Sequence, residues 1–174
     1  TALHLERTQI KASGFLMLES KGGAMLIQSS EVSNSGSNMT TLSADAGSKI
    51  AIDSQSKLIT TVANAPILLI ADQMQLDGLV SAGTNAGITI RPRTLSRGIT
   101  LGGADESGQL NLTQSELSNL QGMVKIGFDG ASGGIQILGP VSLGSRTPPG
   151  SWLDLVNKGS ITQAAGTTLQ VAYL

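Results

Sequence analysis

The sequence predicts an all-β chain wound as a parallel β-helix, a β-solenoid with turns of about 20 residues, and three observations predict it. Of the 174 residues 40% are hydrophobic but only 2% aromatic. An interior so poor in rings must be filled by Ile, Leu, Val and Ala, which suits a narrow, repeating core. Apolar residues recur two apart in short pieces, and glycine, with 22 copies, punctuates them together with Asn, Asp and Ser.

The strand pieces run in order as Leu16 and Leu18, Ile50 and Ile52, Leu68 and Ile70, Ile88 and Ile90, Ile99 and Leu101, and Leu110 and Leu112. They continue as Val124 and Ile126, Ile135 and Ile137, Val141 and Leu143, Leu153 and Leu155, and Leu169 and Val171. First members at 50, 68, 88 and 110 are separated by 18, 20 and 22 residues. A period near 20 with two or three strands per period is the mark of a solenoid whose turns stack on one another. Each piece supplies two inward side chains before a corner, whereas sandwich strands alternate over about five or six residues. A β-sandwich is therefore the second choice. The corners are DAGSK, NAGIT, GGADESG, FDGASGG and NKGS, where Gly accepts positive φ freely and Asn and Asp tolerate it. Eight or nine such turns would give a rod of roughly 40 Å at about 4.8 Å per turn. RTPPG at 146–150 reads as a loop between turns, and residues 1–174 read as a single β-helix segment, an excerpt of a longer repeat protein.

One stretch departs from this pattern. LTQSELSNLQG, 112–122, contains the capping box Thr113-x-x-Glu116, which predicts one short helical turn near 113–120. Leu117 and Leu120, three apart, would lie against the solenoid. Capping accounts for Glu116, with no second carboxylate near it to make an acid–base pair.

Net charge is −1 and charged residues are 13% of the chain, without runs. Nucleic-acid binding is not expected, since neutralising phosphates needs a concentrated basic surface. The chain has no cysteine and a single histidine, His4, so disulfides, thiolate metal sites and Ser-His-Asp catalysis are not expected. No signal peptide is recognisable near Thr1, and the longest apolar run, Pro66 to Ala71, is far short of the ~20 residues of a membrane helix. Neither a cofactor nor a metal site is expected. Glycine-rich GGADESG lacks the iterated G-G-x-G-x-D calcium repeat, and GFDGASGG lacks the G-x-G-x-x-G order of a phosphate cradle.

Four residues are weak candidates for ligand contact. Arg91 and Arg93, flanking Pro92, offer planar forks to an anion, although a corner at Pro92 would leave both in water. Asp105, beside Glu106 in the loop Gly102–Ser107, is a weak cation ligand or a solvated turn. Trp152, at the end of the loop 147–152, suits stacking on a sugar, or else seals the core.

From Ala71 onward the chain resembles the repeated body of filamentous-haemagglutinin-like exoproteins, bacterial adhesins exported by two-partner secretion. The resemblance rests on ADQMQLDGLVSAGTNAGITIRPRT, GITLGGADESGQLNLTQSELSNLQGMVKIG, GGIQILGPVSL and GSITQAAGTTLQVAYL. The second piece is the most specific, in its order of LGG, acidic turn, LxL, S-E-L and xIG. Residues before Ala71, including KIAIDSQSKLITTVANA, match in solenoid rhythm alone. The resemblance implies a right-handed β-helix in a fibre that is secreted or held on the cell surface. It also implies an outer-membrane transporter for the parent protein and a role in adhesion, biofilm or contact with other cells.

The expected function is thus a structural and binding segment, not an enzyme, presenting loops to glycans or to host or other cell surfaces. Two alternatives differ in class: a polysaccharide lyase or hydrolase on the same fold, which would need clustered Asp, Arg or Lys, and a pure spacer. Open strand edges at the ends of such a rod predict end-to-end stacking with further repeats or chains.

Overall fold

The computed structural model describes residues 2–104, 107–143 and 152–171. Four turns of three strands open the chain. They are β1 (Leu3–Glu6), β2 (Gln9–Ala12) and β3 (Leu16–Glu19), then β4 (Met25–Gln28), β5 (Glu31–Asn34) and β6 (Thr40–Ser43). There follow β7 (Lys49–Ile52), β8 (Lys57–Thr60) and β9 (Ile67–Ile70), and β10 (Gln73–Leu76), β11 (Leu79–Ser81) and β12 (Gly87–Arg91). A longer fifth turn holds β13 (Ile99–Leu101), β14 (Leu110–Leu112), α1 (Gln114–Ser118), β15 (Leu120–Gln121) and β16 (Met123–Gly127). The sixth holds β17 (Ile135–Ile137), β18 (Val141–Leu143) and β19 (Leu153–Val156), and β20 (Ile161–Gln163) and β21 (Leu169–Val171) start another.

The described strand pairings are parallel, and the chain is an all-β solenoid of about 6 turns. That is fewer than the eight or nine expected. The reason lies in the register. Direct partners such as Leu3 and Met25, Thr40 and Ile67, or Val124 and Leu153 are 22, 27 and 29 residues apart. Of the intervals near 20, 50 to 68 and 88 to 110 pass between the first face and the third, and only 68 to 88 stays on one face. In β9 the parity is also corrected, for Ile67 and Leu69 point inward and Leu68 outward.

Like residues stack on like inside the rod. Leu5, Ile27, Ile52 and Leu76 form one ladder, and Ile10, Val32, Leu58, Val80 and Leu120 another. On the third face Leu18, Leu42, Leu69, Ile90, Ile126 and Leu155 run through six strands. Burying a Leu or Ile side chain fully contributes about 1.5–3 kcal/mol, so the ladders supply the main driving force. In the first turn Leu3, Leu5, Ile10, Leu16 and Leu18 are only partly buried, because no strand lies beneath them.

Polar residues enter the core where the chain turns between faces. Asn34 is fully buried, and its Nδ2 donates to the Gly14 carbonyl at 2.8 Å and to Thr40 Oγ1 at 3.0 Å. One turn on, Thr60 Oγ1 donates to the Ala65 carbonyl at 2.7 Å and accepts from Gly83 N–H at 2.9 Å. These corners satisfy backbone groups that the strand ladders cannot reach.

Gly127 ends β16 with φ +86°, and a Cβ there would lie 2.2 Å from the Val156 carbonyl oxygen of the next turn. Gly127→Ala should therefore cost about 2 kcal/mol and lower the thermal midpoint by about 5 °C. An unchanged midpoint would show that the corner relaxes freely.

Candidate ligand-binding face

Among the described residues, only the third of the three faces carries an unbroken sheet, β19-β16-β12-β9-β6-β3. The first face changes sheets between β10 and β14, and the second between β15 and β18. The predicted helical turn sits at that break. Thr113 Oγ1 accepts the Glu116 N–H at 3.3 Å and Glu116 Oε2 accepts the Thr113 N–H at 2.8 Å, which completes the capping box. The other oxygen of the same carboxylate, Oε1, accepts the Leu76 N–H of β10 at 3.1 Å, and Asn119 Nδ2 donates to the Leu76 carbonyl at 2.8 Å. On the opposite side, the Gln114 amide donates to the Ser142 carbonyl at 2.8 Å and accepts the Ser142 N–H at 2.7 Å. Three side chains thus take the place of missing strand partners, below toward β10 and above toward β18. Leu117 and Leu120 are fully buried as expected, although Leu120 belongs to β15 and extends the Val80 ladder.

The outer surface of the continuous sheet holds a candidate site. Successive residues of a strand face opposite sides, so Thr89, Lys125 and Asp154 form one outward column in register. Gly87 and Met123 begin the adjoining column, continued by Trp152 one residue before Leu153. The Trp152 carbonyl accepts the Val124 N–H at 3.0 Å, which ties its backbone to the sheet while its side chain stands out. The residue is 55% exposed, so it does not seal the core. Lys125 Nζ lies 3.6 Å from Asp154 Oδ2, both side chains about half-exposed at 45% and 49%. An ion pair this open holds its partners weakly and can share them with a ligand. Together these residues line a shallow depression of about 270 Å³. The indole can take the apolar face of a small ring, and the ammonium, carboxylate and Thr89 hydroxyl can meet its polar edge.

The other candidate residues lie apart from one another in role. Arg91 is half-buried, with its guanidinium 4.7 Å from the centroid of the Phe128 ring. The expectation that a corner leaves it in water is corrected. Burial and the neighbouring Arg93 charge lower its pKa from the ordinary arginine value, yet arginine stays protonated at neutral pH. Arg93 is exposed and donates from Nη1 to Ser43 Oγ at 3.3 Å. Pro92 does follow the strand end, and is buried. Asp105 and Glu106 lie outside the described residues, as does loop 147–151. His4 Nε2 is 2.5 Å from Gln28 Oε1 on the exposed first face. Among the described residues no three His, Asp or Glu side chains converge to hold a metal ion, and no helix is long and apolar enough to cross a membrane.

Asp72 escaped sequence reasoning. This carboxylate is fully buried, where it accepts the Gly47 N–H at 2.7 Å, the Thr94 N–H at 2.7 Å and the Thr94 hydroxyl at 2.5 Å. Arg97 Nε is 3.6 Å away. Burial by itself would raise its pKa, but the hydrogen bonds from Thr94 and Gly47 and the Arg97 charge outweigh it and hold it below the ordinary value. Asp72 anchors segment 92–97 to the corner beside β7. Its partners are 22 and 25 residues distant, and no local motif marks it.

Set against family models, curated proteins and solved structures, the chain finds no match.

Proposed function

We propose that this chain is a segment of a bacterial filamentous adhesin, secreted or held at the cell surface. It acts as a rigid β-helical stalk that also binds glycans on one face. The observation that carries this reading is the exposed Trp152 ring beside the Lys125–Asp154 pair, on the sheet that runs without interruption through the described residues. A rigid continuous sheet holds such a site at low conformational cost, which is what weak surface contacts need if they are to add through multivalency. The resemblance of residues from Ala71 onward to filamentous-haemagglutinin-like exoproteins supports the same reading, with an outer-membrane transporter as the partner of the parent protein. Half-exposed apolar residues at the first turn, with Ile161 at 46% and Leu169 at 39% exposure at the other end, suit stacking onto further repeats or chains.

The test is a glycan array probed with the chain and with Trp152→Ala. Because the ring is exposed, the variant should melt as the parent does, within about 0.5 kcal/mol in stability. We expect its glycan signal to fall about tenfold or more, the loss of one stacked aromatic contact. Undiminished binding by Trp152→Ala would remove the site, and silence of the parent chain on the array would favour a pure spacer.

A further inference from the structure

The Trp152 depression is one end of a longer feature. Pairing of Leu16 with Thr40, Thr40 with Ile67, Ile67 with Ile88, Gly87 with Met123 and Val124 with Leu153 sets the residues just before these positions in line. That outward column reads Phe15, Met39, Pro66, Gly87, Met123 and Trp152, along the whole continuous sheet. At about 4.8 Å per strand it spans roughly 24 Å. Phe15 is 61% exposed and Met39 36%, so an open aromatic ring stands at each end. Between them Pro66 and Gly87 keep the relief low.

Gly87 is the informative residue. It opens β12 just after the positive-φ corner at Asn85, and it is paired with Met123 of β16. Yet a Cβ at Gly87 would meet only the Met123 carbonyl oxygen, at an ordinary 3.5 Å, and its φ is not in the left-handed range. Neither packing nor backbone conformation requires a glycine here. What its bare Cα does is leave the floor of the column open, with room for a ligand or another backbone to approach closely.

The neighbouring column states the chemistry of that partner. Thr89 offers a hydroxyl, and Lys125 and Asp154 offer a donor and an acceptor whose charges cancel. A charged ligand would have to break that pair and leave one member opposed to it. A neutral ligand rich in hydroxyls, with apolar ring faces, engages both. Its units must follow a straight line with a repeat close to the strand spacing. We infer that the column binds a linear, uncharged glycan lying parallel to the rod axis, with one sugar stacked on Trp152 and a distant one on Phe15. This rests on the reading of the face as glycan-binding and adds the ligand's charge class, direction and extent.

Trp152 is the single tryptophan of the chain, so its fluorescence reports occupancy directly, and calorimetry serves the variants. The probes are neutral β-1,4-gluco-oligosaccharides from two to six units and polygalacturonate oligomers of equal lengths. Affinity for the neutral series should rise with length, by about tenfold or more from dimer to hexamer. Phe15→Ala should reduce hexamer affinity to near that of the dimer. Gly87→Val, which fits the strand, should weaken every neutral oligomer about tenfold or more without lowering the thermal midpoint. Length-independent binding, a Phe15→Ala variant that keeps full hexamer affinity, or preference for the uronates would overturn the inference while the glycan-binding reading stands. Binding of no oligomer at all would remove both. A concentration-dependent fluorescence change without sugar, matched by dimers in sedimentation and lost in Phe15→Ala, would make the column a contact between two copies and overturn the inference too.

Discussion

Asp72→Ala is expected to destabilise the rod by about 3 kcal/mol or more. The substitution leaves the Gly47 N–H, the Thr94 N–H and the Thr94 hydroxyl without their acceptor; Asp72 itself is fully buried, Thr94 half-buried and Gly47 exposed. Each buried donor left without a partner costs about 1–3 kcal/mol, and Arg97 loses the carboxylate that balances it. Loss should be local at first, because a solenoid turn contacts only its neighbours. Amide exchange should therefore accelerate in 92–97 and at Gly47 before the other turns respond. Asp72→Asn keeps the shape and one acceptor, so its loss should be about half as large. The pH dependence has a definite sign. The folded-state pKa of Asp72 is lowered, so its contribution is complete above the unfolded-chain value of about 3.9. It is lost as pH falls through the folded-state value below that. Stability of the parent chain should fall more steeply than that of Asp72→Asn below about pH 4. Parallel acid-unfolding curves for the two would dismiss this account.

Glu116→Ala should cost about 2–4 kcal/mol, for a reason particular to the joint. One carboxylate serves the Thr113 N–H and hydroxyl through Oε2 and the Leu76 N–H through Oε1. Loss of a helix cap alone costs about 1 kcal/mol. The remainder is the orphaned donor at the end of β10, where no strand pairs above Leu76. Glu116→Gln can retain one acceptor and should recover roughly half of the loss. Protection of the Leu76 amide against exchange separates the two contributions. Unchanged protection of Leu76 in Glu116→Ala would mean that the helix is only a cap.

The same joint shows how far the sequence is legible. Thr113 and Glu116 announce the capping box because the two residues are three apart and the motif is local. The bond from Glu116 to Leu76 spans 40 residues and has no signature. Strands such as β7, β12 and β16 are plain in the sequence because both inward positions are aliphatic. Earlier ones, such as β5 with inward Asn34 and β6 with inward Thr40, are hidden because those polar residues serve the corners. The run ILLI of β9 is apolar at every position, so parity cannot be read from it. At the candidate face, Trp152 stands out by composition. Lys125 and Gly87 do not, since only pairing across 29 to 36 residues brings them beside it.

What the sequence by itself determined is the material of the rod. Its few rings, its paired aliphatics and its glycine-bearing corners are local properties, and they admit a narrow parallel solenoid more readily than a sandwich. The tertiary structure decided the register, and with it the turn length, the break spliced by Glu116, Asn119 and Gln114, and the continuity of the third sheet. Register is a relation between residues 11 to 40 positions apart, set by which ladders close the core best when all turns stack at once. The candidate ligand-binding column exists only in that relation. No residue in it is a motif alone, and stacking places Phe15, Gly87 and Trp152 on one line.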